Sequence, residues 1–190
     1  MTKRLMLCAL CLTFGQAAVA NEYAPAMNSY YEGHIMKWAG NPMLADAIKS
    51  QNMKTSGLAQ SAIDEMDLQW RAEVGTSTQT LITPVLTGPV ADFLRAQVEE
   101  SGGAITEVFA MDARGLNVAA SDVTSDYWQG DESKFSETFP KGAGAVHFSE
   151  IEFDESSQTY QGQISFVITD PDTSAPIGAI TIGVNAEALM

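Results

Sequence analysis

The chain has 190 residues, 24 acidic against 10 basic side chains, a formal net charge of −14 and two cysteines. A surface this acidic repels nucleic acid and anionic lipid, and two thiols cannot supply a disulfide framework. The length suits one domain that buries a core of its own.

The N-terminus reads as a processing signal, because Lys3 and Arg4 precede an apolar run over residues 5–14, then Gly15, Gln16 and the small-residue site Ala18-Val19-Ala20. The run is too short for a spanning helix, which needs about 20 apolar residues, and no second run of that length follows. Cys8 and Cys11 lie too near the start for a lipoprotein signal. Cleavage before Asn21 removes both cysteines together with Lys3 and Arg4 but no acidic residue, so the charge moves from −14 to −16. The expected product is a cysteine-free periplasmic domain over residues 21–190, helical over 21–103 and a sheet over 104–190. Its stability must come from packing.

From residue 42 to 73 the apolar positions recur at helical spacing: Leu44, Ala47 and Ile48, then Ile63, Met66 and Trp70. Gly57 divides this stretch, and Ser61 is placed to cap the second piece. After the polar residues 75–79, Pro89 suits the first turn of a further helix whose Val90, Phe93, Leu94 and Val98 share a side, ending at Gly102-Gly103. Beyond residue 103 the period becomes two. Ile105, Glu107, Phe109 and Met111 alternate with Thr106, Val108 and Ala110, and Asp112-Ala113-Arg114-Gly115 turns the chain into residues 116–120 as a hairpin. Further strands are expected at 145–153, 160–169 and 177–184, joined by the turns at 154–158 and 170–172. Short connections favour an antiparallel sheet, one face of it covered by the N-terminal helices. Only residues 121–144 interrupt the meander, and a connection of that length is often functional.

The element order, with VFAMDARGLNVAASD at 108–122, TSDYWQGDESKF at 124–135 and QISFVITDPDTSAPIGAITIGVN at 163–185, resembles the Cache (PDC, PAS-like) extracytoplasmic sensor domains over roughly residues 40–190. The resemblance implies an α+β fold, long N-terminal helices on a five- to six-stranded antiparallel sheet, with a small molecule held between the sheet and the segment after the hairpin. It points to Trp128, Tyr127, Asp126 and Asp131 as ligand-binding residues, with Asp170 reaching in from the end of a strand. Each has a second reading. Trp128 equally suits the edge of the core, Asp131 and Glu132 suit the cap of a short helix at 133–138, and Asp170 with Asp172 suits the turn around Pro171. Amino-acid sensors of the family resemble one another in an arginine two residues before the tryptophan; here that place is Asp126. A carboxylate there disfavours an acid ligand and permits an amine-bearing or other cationic one.

No catalytic constellation is offered. His34 and His147 are far apart, no cysteine survives processing, and neither a cofactor nor a metal set is implied. Asp170, Asp172 and Ser174 begin like a calcium loop, but Ala175 and Thr181 occupy the positions that need glycine and glutamate. The expected function is a non-catalytic periplasmic binding module that reports to, or delivers ligand to, a separate membrane sensor or transport protein. The alternatives are a structural protein that uses the fold without a pocket, or an acidic sensor of divalent cations. In the structural reading Met27, Tyr30, Tyr31, Ile35, Met36 and Trp38 form either a homodimer seam or packing against the chain's own sheet.

Overall fold

The computed structural model describes residues 21–154 and 158–190. The expected processing signal, residues 1–20, lies outside the described residues. Helix α1 (Ala24–Tyr30) passes through a π-helical turn, Tyr31–Ile35, into α2 (Met36–Ala39). The extended backbone of Asn41 lets its side chain accept from the Met43 N–H at 3.0 Å, and Pro42 opens α3 (Pro42–Thr55). After the break at Gly57 comes α4 (Gln60–Glu73), whose cap is Ala59 rather than Ser61, with no side-chain cap bond. A short α5 (Ile82–Leu86), not foreseen from the sequence, precedes α6 (Pro89–Glu100).

Among the described residues the sheet has six strands: β1 (Ile105–Asp112), β2 (Asn117–Ala120), β3 (Val146–Phe148), β4 (Glu152–Asp154), β5 (Thr159–Thr169) and β6 (Pro176–Asn185). Every pairing is antiparallel, in the order β2-β1-β6-β5-β3, with β4 also paired to β5. The single strand expected at 145–153 is two short ones, both on the outer edge of β5. Between them the Ser149 hydroxyl accepts from the Gln163 N–H and the Ser149 N–H donates to the Gln163 carbonyl, so the ladder is bridged through a kink. β2 and β3 lie at opposite edges, about 19 Å apart at the usual strand spacing. The connecting residues 121–145, which include the short helix α7 (Ser133–Ser136), must therefore cross a whole sheet face.

One face packs on α1, α2, α3 and α6. Ile105, Val108, Ala110, Ile164, Phe166, Ile168, Ile180, Ile182 and Val184 meet Met27, Ile35, Leu44, Ile48 and Leu94 there. Tyr31 lies against Phe166 and Trp38 against Phe93, so most of the N-terminal apolar set is spent on the chain's own fold, and Met36 remains 57% exposed. The opposite face carries Phe109, Met111 and Ala179, packed under Ile63 and Trp70 of α4, Ile82 and Val85 of α5, and Tyr127 and Phe135. The N-terminal helices thus divide between both faces, where the sequence suggested one. A register shift between Ile105 and Glu107 also places Ile105 on the face covered by α1, α2, α3 and α6, while Glu107 keeps company with Phe109 and Met111.

Candidate functional site

The crossing segment is fastened at its start to the β1–β2 hairpin and to α4. The Asp67 carboxylate of α4 accepts from the N–H groups of Tyr127 at 2.9 Å and Trp128 at 3.0 Å through one oxygen, and pairs with Arg71 at 2.8 Å through the other. Arg71 also reaches Asp126 at 2.8 Å. These two acids raise the Arg71 pKa, Asp126 contributing most. The Trp70 indole donates to the Thr124 carbonyl, and the buried Asn117 amide donates to Thr124 Oγ1 and the Asp126 carbonyl. Gly115, at φ +79, sits against Gly130, and the Gln129 N–H donates to its carbonyl at 2.8 Å.

The same segment, whose Phe135 packs back on the sheet face, borders a cavity of about 450 Å³. Its floor is Glu107 and Phe109 of β1 and Gln163 of β5; its wall is Thr124, Gln129 and Lys134; Asp154 of β4 closes one side. A second hollow of about 470 Å³ adjoins it and shares Lys134, Asp154 and Gln163. Glu107 accepts from the side-chain amides of Gln163 at 3.1 Å and Gln161 at 3.2 Å. Burial pushes its carboxyl above the usual carboxylate range, against the pull of the Gln163 hydrogen bond and the Lys134 charge. Gln129 is almost wholly buried; its amide donates to the Asp126 carbonyl, while its Oε1 is a buried acceptor with no donor among the described residues. Lys134 Nζ is 3.0 Å from the Glu132 carboxylate and 5.4 Å from the Phe109 ring centre.

The residues singled out from the sequence do not converge on this cavity. Tyr127 stacks on Trp70 at 5.4 Å and faces the α3–α5 side; burial, with a smaller push from Asp112, raises its hydroxyl to about 12. Trp128 donates to the Arg114 carbonyl at 2.8 Å, covering the hairpin tip. Asp126 is held by Arg71, and Asp131 is exposed. Helix α7 has no side-chain cap bond from Glu132 at its start. Asp170 accepts from the N–H groups of Asp172 and Thr173 in its turn and lies 3.6 Å from Lys49, and these contacts, the Asp172 N–H foremost, lower its pKa. His34 stacks on Tyr30, and His147 lies on β3 opposite Ser165. Among the described residues no group of three or more His, Cys, Asp or Glu side chains is disposed to hold a metal, and no helix is long and apolar enough to cross a membrane.

No family model matches the sequence, and no curated protein matches it. Solved structures do. The ligand-binding domain of the Campylobacter jejuni chemoreceptor Tlp3, in complex with L-valine, is 14% identical over 87% of this chain and 65% of that domain, at a TM-score of 0.44. The extracellular domain of the histidine kinase rpHK1S-Z16 is 15% identical over 77% of this chain and 56% of its own, at 0.43. The sensor domain of the V. cholerae histidine kinase DctB is 13% identical over 85% and 59%, at 0.35. The chain thus spans less than two thirds of the length of each of these domains.

Proposed function

We propose that this protein is a Cache-type, non-catalytic sensor module of the periplasm, a single domain over residues 21–190 released by cleavage before Asn21. It binds a small molecule between its sheet and the crossing segment and reports to, or delivers that molecule to, a separate membrane sensor or transport protein. The observation that carries the reading is a cavity of mixed lining, with Glu107, Lys134 and Gln163 beside Val74, Phe109 and Val123, roofed by a segment that is itself clamped at Asp67, Asn117 and Gly115. A preformed cleft of apolar surface with a few convergent polar groups is the usual form of a small-molecule site.

The lining favours an amine-bearing or cationic ligand. Glu107 and Asp154 supply carboxylates to the lining, while the charge of Lys134 is already taken up by Glu132. The high net negative charge of the chain steers cations toward such a site. In this reading Tyr127, Trp128 and Asp126 serve the ligand by fixing the roof, and Asp131 and Asp170 stand outside the cavity lining. Mass spectrometry of small molecules retained by natively purified protein, with thermal-shift screening of amines against carboxylic acids, tests it. Retention or stabilisation by amines is expected. Stabilisation by acids alone removes the ligand class, and no response to any compound removes the binding function.

A further inference from the structure

Lys134 stands where the two hollows meet and belongs to the lining of both. Its ammonium has an aromatic face at 5.4 Å in Phe109, a carboxylate at 3.0 Å in Glu132, and the field of Glu107, whose titration it in turn affects. Its side chain is only 15% exposed. An aromatic face, carboxylates and restricted water are what an organic ammonium ion requires of a protein. Lys134 also has a way out, since it rides on the four-residue helix α7 at the end of a flexible four-carbon stem.

We propose that Lys134 is a tethered occupant of the ammonium position, and that a ligand bearing a primary or quaternary ammonium binds by displacing it toward the adjoining hollow. The inference rests on the binding function proposed above and adds what that reading lacks, a residue that sets the affinity threshold and excludes weak cations. A tethered competitor divides the intrinsic affinity by the fraction of time it leaves the position open. Occupancy of about 90–99% would weaken binding about 10- to 100-fold.

The test uses n-butylammonium and tetramethylammonium chloride, with sodium butyrate as the anionic control at matched ionic strength. Binding is measured calorimetrically on the wild type, Lys134→Met and Lys134→Gln, with near-UV circular dichroism to establish that each variant is folded. Both variants are expected to bind the ammonium probes about 10- to 100-fold more tightly than the wild type, with no gain for butyrate. In the wild type, n-butylammonium should shift the side-chain ε-methylene resonance of Lys134, a readout that needs no variant. Ammonium binding that is equal or weaker in both folded variants overturns the role of Lys134 and leaves the binding function standing. Butyrate binding that is present in the wild type and lost in the variants makes Lys134 an anion holder and overturns the inference. Failure of all three proteins to bind either ammonium probe overturns both the inference and the ammonium reading of the cavity.

Discussion

Replacing Gly115 by alanine is the most direct way to pry the roof of the cavity from the hairpin. Gly115 has φ +79, where an L side chain costs roughly 1–2 kcal/mol. A Cβ there would lie 2.7 Å from Gly130 Cα and 2.8 Å from Gly130 N, which are backbone atoms and cannot swing aside. Separating the two strands of chain sacrifices the hydrogen bond from the Gln129 N–H to the Gly115 carbonyl, about 1 kcal/mol, and overpacking adds about 1–3 kcal/mol. Gly102 provides the control, because it too has positive φ, +62, but nothing within 4 Å of a built Cβ. Gly115→Ala should therefore exceed Gly102→Ala by about 2–4 kcal/mol, which at a urea slope of about 2 kcal/mol/M separates their unfolding midpoints by about 1–2 M. Coincident midpoints for the two variants would refute the claim that the crossing segment is seated by this glycine pair.

Other expectations follow from the acids that hold loops in place. Asp67→Ala leaves the Tyr127 and Trp128 N–H groups and Arg71 without their shared acceptor and should cost about 2–4 kcal/mol in chemical denaturation, with a change in tryptophan emission as Trp70 and Trp128 move. Glu73 accepts from Thr80, Gln69 and the N–H groups of Leu81 and Ile82; burial alone would raise its carboxyl, and these four bonds bring it down to about 2. Because its folded pKa is depressed, its contribution is complete above the ordinary carboxylate range and is lost as pH falls from about 4.5 toward 2, so acid titration of Glu73→Gln should show a shallower decline than the wild type. Glu107 behaves in the opposite sense: its pKa is raised, so its ionised form subtracts stability as pH climbs through that value. Glu107→Gln should keep or raise the thermal midpoint at pH 7 while weakening n-butylammonium binding at least about tenfold by calorimetry.

The sheet was legible because its strands alternate against a buried face, and the turns at Asp112-Ala113-Arg114-Gly115 and Asp170-Pro171-Asp172 are marked by their residue types. The position of α4 was not. Its stripe of Ile63, Met66 and Trp70 announces burial but says nothing of which sheet face receives it. Asp67 and Glu73 follow that same stripe, and an acid on an apolar helix face is the signal that could have exposed the clamp. The i,i+4 spacing of Asp67 to Arg71 fits an ordinary surface ion pair equally well and by itself gives no sign of burial. Glu107 gave a similar warning by standing among Phe109 and Met111, and only the register shift beside it decides which way each points. The prominent Asp-Tyr-Trp string drew attention to side chains that fasten the segment. The cavity itself is lined by plainer neighbours, Thr124, Gln129 and Lys134.

The outer rail of β5 has a bearing on solubility. Unpaired strand borders invite a second copy to add itself, and here the border on that side is broken into two three-residue pieces, β3 and β4, offset by the kink at Ser149. Glu150, Glu152 and Asp154 line up along it with Phe153 beside them, so a neighbouring strand approaching that aromatic would meet like charge at nearly every step. Neutralising Glu150 and Glu152 should convert this border into a seed for fibrous self-association at high concentration, which would make the acidity of the molecule a guard against polymerisation as well as a lure for cations.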